Sequence, residues 1–100
     1  MSFASDIQSK TLTAAGTAVN GRSRIAGIYY ISTGTADTIV FKDGGSGGTT
    51  VLSVPSPAAA GAHDLLIPDN GILCGTDIYV SFDNAKVTSV VVLFVGGKAA

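Results

Sequence analysis

Glycine, proline, asparagine and aspartate interrupt this chain at intervals of roughly 8–12 residues, which leaves little room for a helix of ordinary length. Short runs bounded by such residues read as strands, and a series of them closes into an antiparallel sandwich or a small barrel. A parallel sheet is not expected, because no stretch between strands is long enough for a crossover helix. The acidic residues agree: all 7 are aspartate, which suits turns, and none is glutamate, which suits helices. The expected fold is therefore all-β, a small antiparallel β-sandwich of jelly-roll type with seven or eight short strands.

The strands can be placed by their alternation. Residues 23–33 form one, with Ile25, Tyr29 and Ile31 on one face and Ile28 and Tyr30 on the other. Residues 37–43 and 49–54 are expected to pair as a hairpin across the loop Gly44-Gly45-Ser46-Gly47-Gly48. Pro55 and Pro57 stop the second of these, and residues 58–61 link it to a strand at 62–68. Asp69-Asn70-Gly71 suggests a two-residue hairpin turn into a short strand at 72–74. Residues 77–83 alternate most cleanly, with Ile78, Val80 and Phe82 inward and Tyr79 and Ser81 outward; residues 83–85 then turn the chain into a last strand, 86–95. Ser5 with Gln8 could cap a helical turn, but an extended arm or edge strand is the preferred reading of residues 7–13. One domain is expected, with residues 1–20 as an N-terminal arm or edge strand and 21–95 as the core. For a mass of 10.0 kDa, surface scaling gives a folded area of about 5,200 Å².

No catalytic set can be assembled from the reactive residues. His63, the sole histidine, neighbours Asp64, and adjacent strand residues point to opposite faces. Cys74 is alone, so it forms no internal disulfide, and it reads as a small buried hydrophobe. One Cys and one His do not make a zinc site. Asp37 and Asp43, like Asp77 and Asp83, bracket a strand; carboxylates so placed can hold calcium, but turn formation explains them without an ion. The glycine-rich loop opens a strand, not a helix, and lacks the Lys-Ser/Thr of a phosphate loop, so it reads as a hairpin tip that could touch a neighbour. No enzyme activity, cofactor or metal is expected.

Charge and hydropathy narrow the partners. A net charge of −1 gives no footprint for nucleic acid, and the longest apolar stretch, residues 90–95, is too short to span a membrane as a helix. The first residues lack the pattern of a signal peptide, which with the single cysteine points to folding in the cytoplasm. Charged residues make up only 13% of the chain, so small polar residues or neighbouring subunits must cover its surface. Arg22 and Arg24 share a strand face and could anchor an acidic neighbour. The last strand, Val90-Val91-Val92-Leu93-Phe94-Val95, is apolar on both faces, so its outer side needs cover from the chain's own arm or from a partner.

The runs Ile28-Tyr29-Tyr30-Ile31-Ser32 and Thr38 through Thr50, followed by residues 57–61, 67–73 and 76–80, resemble small virion structural proteins of tailed bacteriophages, marine and cyanobacterial ones in particular. The resemblance covers roughly residues 20–95 and rests on strand-and-turn texture. It implies a compact β fold on a head or tail that often forms trimers or larger rings, and it carries over no site residues. The expectation is a capsid decoration or cement protein bound to the head lattice, in contact with the major capsid protein or other virion proteins, and present as a homo-oligomer with a trimer favoured. A tail or connector component is the close variant. A host-surface, sugar-binding sandwich that uses Tyr29, Tyr30 and Tyr79 is the alternative of another class. Expected contacts are Phe3 and Ile7 of the arm, Arg22 and Arg24, the loop tip Gly45, Ser46 and Gly47, and Val91, Leu93 and Val95 of the last strand.

Overall fold

A computed structural model of the chain describes residues 7–67 and 71–100. Eight strands follow in order: β1 (Gln8–Leu12), β2 (Gly16–Ser32), β3 (Asp37–Asp43), β4 (Thr49–Ser56), β5 (Gly61–Leu66), β6 (Ile72–Cys74), β7 (Asp77–Ser81) and β8 (Val87–Ala99). No helix occurs among the described residues. All strand pairs are antiparallel, in one sheet of order β1-β8-β2-β7-β3-β4, with β5 and β6 also on β2.

With no helix to cover it, such a sheet can bury a face only by folding over on itself. Ile25, Val90, Val92 and Phe94 of β2 and β8, and Ile39, Phe41, Ile78 and Val80 of β3 and β7, are all completely buried in one common core. The shortest dimension of the molecule is 19 Å, as expected for two sheet layers about 10 Å apart with side chains outside. The fold is thus sandwich-like, and its first and last strands pair with each other. The accessible surface, 5200 Å², matches the area expected for a compact monomer of this mass.

β2 organises the whole sheet. At 17 residues it is long enough to lie along β8 on one side and along β7, β6 and β5 in succession on the other. The long strand bends where its register with β8 shifts, between Asn20 and Ser23. Glycines form this corner on both strands: Gly21, Gly96 and Gly97 all have positive φ, and a Cβ on Gly97 would lie 2.7 Å from Val19 and 2.9 Å from the Asn20 carbonyl.

Several sequence expectations change here. The strand expected at 23–33 begins at Gly16, and Ala18 and Val19 are fully buried, so the core reaches into the segment expected to be an arm. What remains of the arm is β1, an edge strand paired with β8; Gln8 opens a strand and not a helical turn, and Ser5 lies outside the described residues. Ile25 was expected to share a face with Tyr29 and Ile31. A bulge between Ile25 and Gly27 reverses the alternation, so Ile25 joins Ile28 and Tyr30 in the core. Pro55 does not stop β4, because β4 is an edge strand that tolerates a missing donor. The hairpin expected around Asp69-Asn70-Gly71 does not form: β5 and β6 both pair with β2, one after the other, and not with each other. Residues 68–70 themselves lie outside the described residues. The last strand runs on to Ala99.

Candidate docking face

β3 and β7 are neighbours, so the aspartates that bracket them meet in pairs. Asp43 accepts the backbone amides of Gly75 and Thr76 at 2.9 and 2.8 Å, and Asp77 accepts those of Gly44 and Gly45 at 2.9 and 3.0 Å. At the other end of the ribbon Asp37 accepts the Asp83 amide, and Asp83 accepts the Ala85 amide. The backbone amides of Thr76 and Gly75 hold the Asp43 carboxyl below its ordinary range. These carboxylates are the clasps of the ribbon, and no group of three His, Cys, Asp or Glu residues that could hold a metal occurs among the described residues.

The glycine loop is fastened by the same clasp. Gly48 donates to the Gly45 carbonyl, Lys42 Nζ donates to the Ser46 carbonyl, and the Gly44 and Gly45 amides point to Asp77. Three of its amides, those of Gly44, Gly45 and Gly48, therefore serve the chain itself. Cys74 is fully buried, and its thiol is pushed up to about 11 by burial, then by the charges of Asp43 and Asp77. A thiol in that setting stays protonated and unreactive at neutral pH. His63 packs its ring 5.3 Å from that of Tyr30, and a ring nitrogen lies 3.2 Å from the Ala59 carbonyl.

The outer side of β1, β8, β2, β5 and β6 is different. Residues directly opposite in an antiparallel sheet share a face, so the register lays out this surface row by row. Thr11, Val91, Tyr29 and Asp64 form one row; Ser9, Leu93, Gly27 and Leu66 the next; Val95, Arg24 and Leu73 the third. In the middle row Leu93 and Leu66 close over Gly27 from both sides, 3.2 and 3.4 Å from where its Cβ would stand. Leu66 is 73% exposed, and Tyr29, Leu73 and Ile31 are also exposed. Val91, Leu93 and Val95 along β8, with Tyr29, Leu66 and Leu73 beside them, make this an apolar strip interrupted by Arg24, a candidate surface for contact with another molecule.

This face gathers many of the residues expected to make contacts. Val91, Leu93 and Val95 lie on it, half-buried, and Arg22 and Arg24 frame a groove at its end together with Ser23, Leu73, Val95 and Gly96. Ile7, exposed, precedes β1 at the level of Val95. Gly45, Ser46 and Gly47 are not part of these rows; they sit at the β3–β4 tip, held to the β6–β7 turn. Phe3 lies outside the described residues. β1 lies beside β8 and not across it, so the described part of the N-terminal segment covers an edge of the last strand and leaves its outer face open.

Leu66 and Leu73 were not among the expected contacts, and Tyr29 was expected only as one of three tyrosines of a sugar-binding surface. The signal for the first was available: two successive leucines, Leu65-Leu66, in a strand must put one outward. The three tyrosines do not form a shared platform, since Tyr30 is buried in the core and Tyr79 faces outward from β7. Compared with known protein families, with curated proteins and with solved structures, the chain matches none of them.

Proposed function

We propose that this protein is a non-enzymatic structural component of a tailed-phage virion, a decoration or cement subunit that docks on the head lattice as an oligomer, with a trimer expected. The observation that carries the docking part is the apolar strip Val91–Tyr29, Leu93–Leu66, Val95–Leu73, left open on a chain whose core is already complete. Burying it against a partner would gain roughly 25 cal/mol per Å² of apolar surface removed from water. The placement on a phage head rests on the sequence resemblance in residues 20–95; a tail or connector position would use the same face.

The test is co-elution of the purified chain with empty phage heads, with oligomer size read by light scattering. Saturable binding is expected. Leu66→Asp should abolish it, since a charge at the centre of the strip must then be desolvated on docking. A chain that stays free of heads and tail assemblies alike would overturn the reading.

A further inference from the structure

The end of the docking face carries a feature that the strip alone does not explain. Between β2, β6 and β8 lies a groove of about 210 Å³ lined by Arg22, Ser23, Arg24, Leu73, Val95 and Gly96. Arg24 stands in register between Val95 and Leu73, so a guanidinium is flanked by two apolar side chains. Arg22 lies at the glycine corner, two residues along the same strand. Among the described residues neither guanidinium has a hydrogen-bond or carboxylate partner, whereas Asp37, Asp43, Asp77 and Asp83 all hold backbone amides. The groove is smaller than the roughly 300–1,000 Å³ of sites for drug-sized ligands, and it suits a side chain better than a cofactor.

We infer that this groove docks an acidic, apolar peptide segment of the partner protein, a carboxylate held by Arg22 and Arg24 with an adjoining large aliphatic side chain set between Leu73 and Val95. The inference rests on the docking reading above and adds the chemistry of the partner. Charge complementarity selects the carboxylate: arginine presents a planar fork of donors that matches it. The apolar walls select its neighbour, because the stems of the arginines, Leu73 and Val95 gain from being dried. The site also gives orientation, since a uniform apolar strip would let a partner slide whereas one charged end fixes the direction.

The test uses the full chain, labelled with ¹⁵N, and two synthetic peptides, acetyl-Gly-Ser-Asp-Leu-Gly-Ser-amide and its Asn-Leu counterpart. Amide shifts confined to residues 22–24, 73 and 95–96, with a Kd on the order of 1 mM, are expected for the acidic peptide. The Asn counterpart and an Arg22→Gln/Arg24→Gln chain should each bind about tenfold more weakly, the loss of charge-assisted hydrogen bonds. Both arginines are at the surface, and an unchanged spectrum elsewhere shows that the variant is folded. Absence of shifts, or equal binding of both peptides, would overturn the inference. So would a large gain in peptide binding in a Phe3→Ala/Asp6→Asn chain, which would make the chain's own N-terminal segment the occupant. Head binding without peptide binding defeats the groove and leaves the docking reading standing; peptide binding without any particle binding does the reverse.

Discussion

The carboxylate of Asp43 takes the amides of Gly75 and Thr76, and Asp77 returns the exchange with Gly44 and Gly45. Each carboxylate thereby ties its own loop to backbone amides 32 and 33 residues away in the chain. Replacing Asp43 with Ala should lower the melting temperature and loosen the glycine loop, read as faster amide exchange at Gly44, Gly45 and Gly75 together. The pH dependence has a definite sign. Because the folded-state pKa of Asp43 is lowered from 3.8, its contribution is complete above that value and fades as pH falls through the folded-state value. Acid unfolding should therefore begin at a higher pH in the Asp43→Ala chain, provided that stability is measured from neutral pH downward. Ser56 makes the opposite kind of prediction. Its hydroxyl is buried with no hydrogen-bond partner among the described residues, so Ser56→Ala should leave stability unchanged or raise it by up to about 1 kcal/mol in denaturant melts.

At the level of elements, β2 and β8 bend together at a corner that only glycine satisfies. Gly97 has φ +64°, and a methyl group there would crowd Val19, Asn20 and Ser23. Gly97→Ala should cost about 1–3 kcal/mol, or roughly 5–20 °C in melting temperature for a domain of this size. The corner also shows what the sequence could and could not disclose. Strands β3 and β7 were legible because clean alternation and flanking turn residues mark them locally. The long β2 was not, because Asn20-Gly21 looks like a turn yet here is a bend inside a strand. The face of Ile25 was hidden for a related reason, as one extra residue at Ala26 reverses the alternation and nothing local announces it. The Asn-Gly turn misled in the other direction: both flanking strands found β2 as a partner, and long-range pairing overrode a local signal. In the candidate site, the double apolarity of residues 90–95 marked an outer face in need of cover, while Leu66 and Leu73, which lie beside it, come from strands whose position depends on β2.

Seen as a whole molecule, the chain has a closed core on one side of its sheet and an open apolar strip on the other. Leu66 separates these two roles. It is 73% exposed, so Leu66→Asp should change stability by no more than about 0.5 kcal/mol while removing docking. Leu93 is half-buried, and Leu93→Asp mixes the two effects. Side-chain footprinting of the chain, free and bound to empty heads, tests most directly that this strip is where the protein attaches. Protection should appear on binding at Tyr29, Leu66, Leu73 and Leu93, with β4 and the Gly44–Gly48 loop unchanged. Unaltered labelling of those four residues on bound chains, with protection elsewhere, would show that the protein attaches by another surface.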